Sequence, residues 1–244
     1  MSTRVTMAVA VRVLTQLRRD HRTMAMLLVV PALLVALLWW MFKDAGPVFD
    51  RIGPALMALF PFIIMFLVTS VTTLRERSSG TLERLLAMPM GKLDFLLGYA
   101  LAFGVVAALQ SALAVAVSVW FLDLDVVGPV WLLCVVAIVD AVLGTALGLF
   151  VSAFAQTEFQ AVQFMPVVVI PQILLCGLLI AREDLPDTLH AISDVLPLSY
   201  AVDAMEHLTR SSSTGEVWAD LAVVAAFVVG GLAVGAATLR RRTP

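Results

Sequence analysis

The stretch WLLCVVAIVDAVLGTALGLFVSAF, residues 131–154, carries one charged residue, Asp140, and is otherwise apolar or small. A helix needs about 20 such residues to cross the roughly 30 Å hydrocarbon core of a bilayer. Runs of this kind recur along the chain, at residues 24–42, 55–74, 95–121, 131–154, 162–181 and 218–239. The sequence therefore predicts an all-α, multi-pass membrane protein with six transmembrane helices, formed as one domain over residues 1–244.

Composition supports the membrane class. Of the 244 residues, 61% are hydrophobic and 14% are charged, whereas a soluble domain has about 45–50% and about 25%. A soluble protein cannot place this excess in a larger core, because its surface still needs polar cover. Soluble enzymes and soluble binding modules are therefore excluded.

Basic residues are unevenly divided between the segments that lie on one side of the membrane and those that lie on the other. Of 16 Lys and Arg residues, 12 lie in the N-terminal segment, the loop between the second and third spans, and the C-terminal segment. The other loops hold Lys43, Arg51, Arg182 and Arg210. Because Lys and Arg are retained on the cytoplasmic side, we expect both termini to be cytoplasmic and the protein to lie in the cell (cytoplasmic or inner) membrane.

The N-terminal segment, residues 5–22, has an apolar side flanked by arginines. Its apolar side comprises Val5, Ala8, Val11, Val13, Leu14 and Leu17, and the flanking residues are Arg12, Arg18, Arg19 and Arg22. This pattern is typical of an amphipathic helix that lies in the headgroup layer. The alternative is a positively charged start to the first span.

No sequence motif predicts catalysis or metal binding. The dipeptide Gly91-Lys92 follows Pro89 without the glycine-rich loop that cradles phosphates. Cys134 and Cys176 lie inside apolar runs and form no CxxC site. We predict no catalytic residue, no metal ligand and no cofactor in this chain, so that energy for uphill transport would come from another chain.

The loop between the second and third spans, residues 75–92, predicts a short cytoplasmic helix of about two turns. Residues 79–81 offer an N-cap, and Pro89 with Gly91 ends the pattern. An apolar stripe at helical spacing lies between them, formed by Leu82, Leu85, Leu86 and Met88. Such a stripe is either a docking face for a partner protein or part of an ordinary capped loop.

Three stretches together resemble the ABC-2-type permeases, the membrane subunits of ATP-binding-cassette exporters. RERSSGTLERLLAMP, residues 75–89, is similar to the family signature, and SAFAQTEFQA, residues 152–161, to the segment between its fourth and fifth spans. Leu185-Pro186 with VLPLSY, residues 195–200, is similar to the outer region before the last span. The three stretches occur in the same order as in the family, and each lies at the expected end of a span.

The resemblance implies a set of partners. A separate ATPase subunit, which would bind ATP and Mg, would receive a coupling helix formed by Leu82, Glu83, Arg84, Leu85, Leu86 and Met88. Glu83 and Arg84 would make the polar contacts there. The N-terminal amphipathic helix would touch the same ATPase, and a second permease, either a copy or a paralogue, would complete a central path.

The outer segment, residues 182–217, mixes apolar and acidic residues, and Pro186 and Pro197 divide it into short helical pieces. The resemblance implies that these pieces are re-entrant helices forming an outer gate, which we place at Pro197 and Tyr200. The alternative is a folded loop that rests on the membrane surface.

Polar residues inside the spans are candidates for the translocation path: Gln110, Asp140, Gln163 and Gln172. A carboxylate in lipid is costly, so Asp140 should face protein or water. Asp140 either lines the path or bonds Gln110 or Ser111 of the preceding span, with proton coupling as a third alternative. Gln163 and Gln172 serve either the path or helix contacts.

We expect an exporter permease that moves a lipophilic or amphipathic small molecule, such as a drug or antibiotic, out of the cell. Lipid and polysaccharide exporters of the same fold are an alternative. A proton-driven secondary transporter would favour more buried ionisable groups and an internal repeat. A non-transporting membrane enzyme or scaffold would need a catalytic constellation that Asp140 alone does not make.

Overall fold

The computed structural model describes residues 2–44, 48–78 and 91–238. Within these ranges all regular structure is helical: α1 (Thr3–Arg19), α2 (His21–Phe42), α3 (Val48–Ser78), α4 (Lys92–Trp120), α5 (Val130–Ser152), α6 (Glu158–Leu175), a 3-10 turn (Arg182–Asp184), α7 (Asp187–Ser193), α8 (Pro197–Arg210) and α9 (Gly215–Thr238). Six of them, α2 to α6 and α9, are long and apolar enough to cross a membrane. The predicted all-α class with six spans is confirmed.

Two spans differ from their predicted bounds by more than three residues. Helix α3 begins at Val48 and not at residue 55, because hydropathy marks only the apolar middle of a helix that continues beyond the hydrocarbon. Helix α6 covers 158–175 and not 162–181. The Thr157 hydroxyl accepts a hydrogen bond from the Gln160 N–H at 3.2 Å and caps its start, and Gly177, with φ +99°, lies just beyond its end.

The predicted N-terminal helix, residues 5–22, is split at Asp20. The Asp20 carboxylate accepts the Thr23 N–H at 3.1 Å and caps α2, so Arg22 belongs to the first span. Helix α1 packs on α4 where a Cβ on Gly98 would lie 2.6 Å from the Val9 side chain. This contact buries one side of α1, formed by Thr6, Val9, Ala10, Val13 and Leu17. Ala8 and Val11, which were predicted to belong to the apolar side, lie outside this contact and are exposed.

Helix α5 is the centre of the bundle. Its Gly144 and Gly148 lie against Phe62 and Phe66 of α3, and the Ser111 hydroxyl of α4 donates to the Ala137 carbonyl at 3.0 Å. On another side, Gly231 and Gly235 of α9 lie beside Ala146 and Phe150. In both contacts, a step of four residues along one helix matches a step of four residues in the same chain direction along its neighbour. Helices α3, α5 and α9 therefore run parallel.

The two ends of the bundle differ in composition. All five tryptophans lie where α2 and α4 end and where α5 and α9 begin, namely Trp39, Trp40, Trp120, Trp131 and Trp218. The rings of Trp131 and Trp218 are 6.4 Å apart. Tryptophan is enriched at membrane–water interfaces, so this level, called the tryptophan end below, is an interfacial belt. The opposite end, where α1 lies and α3 ends, is called the basic end; its cytoplasmic orientation stays a prediction.

Candidate functional site

Three helices are joined at the basic end by Arg12 of α1, Glu76 of α3 and Tyr99 of α4. The Arg12 Nη2 donates to the two Glu76 oxygens at 2.6 Å and 2.5 Å and to the Tyr99 hydroxyl at 3.3 Å. Burial, the largest single effect, acts to lower the pKa of Arg12, but the hydrogen bonds and charges of Glu76 and Tyr99 together outweigh it and the pKa is raised. The guanidinium therefore stays charged although it is partly buried.

A second set of bonds, centred on Asp94, joins the starts of α1 and α4. One Asp94 oxygen accepts the Ser2 N–H at 2.9 Å and the Thr6 hydroxyl at 3.2 Å. The other accepts the Gly91 N–H at 3.0 Å. Asp94 thus fixes the first turn of α1 and the residue that precedes α4 in one arrangement.

These bonds lie on both sides of the predicted coupling helix. That helix, with Leu82, Glu83, Arg84, Leu85, Leu86 and Met88, lies outside the described residues. Before it in the chain, Glu76 is bonded to Arg12 of α1. After it, Gly91 is bonded to Asp94, which also bonds the start of α1. Helix α1 therefore holds the chain on either side of the segment 79–90.

Two of the three quoted motif stretches meet at the same end. Arg75 donates through Nε and Nη2 to the two oxygens of Glu158, at 2.9 Å and 3.0 Å. Arg75 belongs to the stretch 75–89 and Glu158 to the stretch 152–161. Both side chains are largely exposed, so the pair contributes little stability; its effect is to set the end of α3 against the start of α6.

This network is not predicted from the sequence, although the sequence carries one signal for it. Arg12 stands between Val11 and Val13 in an otherwise apolar part of α1, where an unpaired arginine would be costly. Its partners Glu76 and Tyr99 lie 64 and 87 positions further along the chain. No local periodicity reports a pairing over that distance.

Asp140 is fully buried in the middle of α5, and neither carboxylate oxygen has a hydrogen-bond partner among the described residues. The Gln110 amide on α4 is likewise fully buried and has no partner in the described part of the chain, and Ser111 donates to the Ala137 carbonyl instead. The structure thus does not show the bond from Asp140 to Gln110 or Ser111 that the sequence allowed. Unsatisfied buried polar groups cost about 1–3 kcal/mol each, so both side chains lower the stability of the bundle.

The two glutamines of α6 have different surroundings. Gln172 is buried; its Nε2 donates to the Val168 carbonyl at 3.0 Å, and its Oε1 accepts the Leu198 N–H of α8 at 3.3 Å. Gln163 is exposed on the surface of α6. Of the four path candidates, Gln163 alone reaches the surface of the chain.

The two predicted gate residues lie at the start of α8. Pro197 is the first residue of that helix and is buried, and the Tyr200 hydroxyl donates to the Asp194 carbonyl at 2.8 Å. The Ser193 hydroxyl donates to the Leu175 carbonyl of α6 at 2.8 Å. The last residue of α7 is therefore bonded to the last residue of α6.

Comparison with known proteins identifies relatives for most of the chain. Residues 4–208 match the family described as ABC-2 type transporter. The chain is 27% identical over 169 residues to the probable multidrug ABC transporter permease YbhR of Escherichia coli, covering 69% of this chain and 46% of that protein. It is 26% identical over 182 residues to the inner membrane transport permease YhhJ of Escherichia coli, covering 74% and 48%.

A more distant relative is the ABC transporter G family member 20 of Dictyostelium discoideum. It is 24% identical over 183 residues, which cover 74% of this chain and 25% of that protein. The chain spans less than half the length of each of these relatives.

Proposed function

Because this chain belongs to the ABC-2 type transporter family, whose relatives here are permeases, we propose that it is the membrane-spanning subunit of an ATP-driven exporter. It is a multi-pass protein of the inner membrane, with six helices that can cross the bilayer. The observation that carries the proposal is the family match over residues 4–208.

The energy would come from a separate ATP-binding-cassette subunit that binds ATP and Mg. Its contact on this chain would be the segment 82–88, with Glu83 and Arg84 as polar contacts. The bonding of Glu76 and Gly91 around helix α1 supports this assignment, because a segment that transmits force needs fixed attachment on both sides. Motion of the ATPase would then reach α3 and α4 together.

The translocation path would lie between this chain and a second permease, either a copy or a paralogue. Helix α6 supports this placement, since only 17% of its span is buried in the chain and the polar Gln163 lies on its exposed surface. A polar side chain in a span is expected to face protein or water and not lipid. Gln163 would therefore face the path, while Gln110, Asp140 and Gln172 support it from inside the bundle.

The start of α8 would be re-entrant. Gln172, which accepts the Leu198 N–H, lies 14 residues beyond Glu158, or about 21 Å along α6 at 1.5 Å per residue. The hydrocarbon core is about 30 Å thick, and Glu158 itself is exposed at the basic end. The turn that contains Pro197 would thus lie below the far surface of the bilayer, where an outer gate is needed.

The substrate would be a lipophilic or amphipathic small molecule. The relative YbhR is named as a probable multidrug permease, and the exposed surface of the bundle is apolar. Lipids and polysaccharides are the alternative substrates for the fold.

The proposal is tested by reconstitution. The chain is co-expressed with the reading frames that flank its gene, purified, and placed in vesicles with a fluorescent lipophilic cation. We expect the ATPase to co-purify and the dye to move only with ATP and Mg, and not when the ATPase lacks its phosphate-binding lysine. Absence of an associated ATPase together with ATP-independent dye movement would overturn the proposal.

A second experiment tests the coupling segment. We expect Leu86→Asp to abolish ATP-dependent export because a carboxylate would occupy the apolar docking face. Glu183→Ala, an exposed acidic residue of the 3-10 turn, is the matched control and should leave export unchanged. If Leu86→Asp exports normally with the ATPase still bound, the segment 82–88 is not the coupling element.

A further inference from the structure

Three arginines lie within five residues where α1 meets α2, and they are called the arginine cluster below: Arg18, Arg19 and Arg22. All three are exposed, and none forms an ion pair with the part of the chain that the structure describes. The Asp20 carboxylate between them attracts Arg22 but is bonded to the Thr23 N–H at 3.1 Å and the Thr23 hydroxyl at 2.6 Å. One carboxylate does not neutralise three guanidinium groups, so this turn carries excess positive charge.

The rise of helix α2 gives the depth of the arginine cluster in the bilayer. Arg22 and Trp40 are 18 positions apart in the sequence, or about 27 Å along the helix at 1.5 Å per residue. Trp40 belongs to the tryptophan end, and the hydrocarbon core is about 30 Å thick. Arg22 therefore lies at the headgroup level of the opposite leaflet, where the lipid phosphates are.

One exposed face of α2 leads from the arginine cluster into the hydrocarbon. It consists of residues that follow one another at steps of three or four, namely Arg22, Met26, Val29, Leu33, Leu37 and Trp40. The apolar members are between 47% and 68% exposed, because α2 packs on the bundle through its other side, where Leu27 and Val35 are buried. Half of the hydrocarbon core corresponds to about ten helical residues. Met26 and Val29 thus lie in the leaflet whose headgroups meet Arg22.

The positions of Arg18 and Arg19 are fixed by the packing of α1. Leu17, beside them in the last turn of that helix, is buried in the bundle. Further back, Arg12 is bonded to Glu76 of α3. Because the backbone that carries the arginines is held in place before any ligand arrives, less conformational freedom is lost on binding.

We propose that the arginine cluster and the adjoining face of α2 form a binding site for one anionic phospholipid. The lipid phosphate lies against the three guanidinium groups, and an acyl chain lies along Met26 and Val29. A second copy of the chain seated on this face would bring its own three arginines to the same level, where like charges repel. Charge complementarity therefore favours the lipid, and the site does not depend on the proposed exporter function.

Native mass spectrometry of the purified chain measures this site directly. The chain is released from detergent micelles that contain phosphatidylglycerol and phosphatidylcholine of the same chain length. We expect one phosphatidylglycerol molecule to stay bound, with an affinity about tenfold or more above that of phosphatidylcholine, since two or more arginines each contribute about fivefold. Inorganic phosphate at the same concentration should not displace it, because phosphate has no acyl chain to contact Met26 and Val29.

Substitution of the arginine cluster should remove the preference for the anionic lipid. We expect Arg18→Gln, Arg19→Gln and Arg22→Gln together to lower the phosphatidylglycerol affinity to that of phosphatidylcholine, whose own affinity stays unchanged. The three lysine substitutions at these positions keep the charge and should keep the preference. If the triple glutamine variant does not fold, Arg22→Gln alone replaces it and should lower the phosphatidylglycerol affinity about fivefold.

A matched control removes the same number of charges elsewhere. Arg240, Arg241 and Arg242 follow α9 in the sequence and are predicted to lie on the same side of the membrane. Their replacement by glutamine should leave the phosphatidylglycerol preference unchanged. An equal loss in this control would mean that net charge, and not the arginine cluster, attracts the lipid, and the proposed site would be wrong.

Other results would also overturn the site. They are equal affinities for the two lipids in the unmodified chain, an unchanged preference in the glutamine variants, and displacement of the lipid by inorganic phosphate. A disulfide between two copies of Leu33→Cys, made in a background of Cys134→Ala and Cys176→Ala, would show that a second copy covers this face of α2. Because binding is measured without ATP or an ATPase, failure of ATP-driven export would leave this result standing, and failure of the lipid site would leave the exporter proposal intact.

Discussion

Two glycine pairs with the same spacing make opposite contacts. Gly144 and Gly148 of α5 lie so close to α3 that a Cβ on either would be 2.4 Å or 2.5 Å from the carbonyl oxygen of Phe62 or Phe66. Gly231 and Gly235 of α9 face α5, but a Cβ on them would meet its atoms at 3.6 Å and 3.8 Å, which is ordinary contact.

The difference separates a closed helix contact from an open one. Glycine is needed between α3 and α5 because the two backbones touch, the form of packing that associates helices in a membrane. Between α5 and α9 the small residues leave an open apolar groove of about 400 Å³, lined by Leu147, Phe150, Ala226, Phe227, Gly230, Gly231 and Val234. The spacing GxxxG therefore predicts that helices can approach closely, and not that they do.

The largest effect is expected at the closed contact. Gly144→Ala would place a methyl group 2.4 Å from the Phe62 oxygen, and neither backbone can yield without moving its helix. We expect the free energy of unfolding to fall by about 3 kcal/mol or more, at the upper end for overpacked cores. The measurement is the folded fraction left after heating in detergent, followed by size-exclusion chromatography. An unchanged melting temperature would mean that α3 and α5 are not in backbone contact.

A smaller and local effect is expected where α1 crosses α4. A Cβ on Gly98 would lie 2.6 Å from the Val9 side chain and 2.9 Å from the Thr6 carbonyl oxygen. Because α1 lies at the edge of the bundle, it can move away, and we expect Gly98→Ala to cost about 1–3 kcal/mol. Hydrogen exchange should accelerate in α1 and stay slow in α5. Equal acceleration in both helices would show that α1 is part of the central unit.

Asp140 lies one turn before Gly144 on α5, and a substitution there tests how a buried polar group affects the stability of this part of the bundle. Neither of its oxygens has a partner within residues 2–44, 48–78 and 91–238, and an amide costs less to bury than a carboxylate. We expect Asp140→Asn to raise the free energy of unfolding by about 1–2 kcal/mol, measured by the same heating experiment. A loss of stability would instead show that the carboxylate has a partner in the membrane.

The sequence predicts the spans because the thickness of the hydrocarbon core fixes the length of a spanning helix, and apolar runs such as 131–154 have that length. It does not predict where α6 ends, since that depends on the left-handed backbone of Gly177 and not on hydropathy. Nor does it predict the bond from Arg12 to Glu76, whose residues are 64 positions apart. The coupling residues of the segment 82–88 stay predictions. Gln163 is exposed whereas Gln172 of the same helix is buried, a difference that the hydropathy of the span does not predict.

The smallest effect, and the one that separates the two glycine pairs, is expected for Gly231→Ala. Glycine inside a helix is less favourable than alanine by about 0.5–1 kcal/mol, and the new methyl group would meet the Ala146 Cβ at 3.6 Å without overlap. We therefore expect a gain of up to about 1 kcal/mol in the free energy of unfolding, against the large loss for Gly144→Ala. The pair of variants carries the same substitution at the first position of the same motif, so helix propensity is matched and only the facing surface differs. A loss at Gly231 comparable to that at Gly144 would mean that the groove is closed in the membrane and that both motifs make tight contacts.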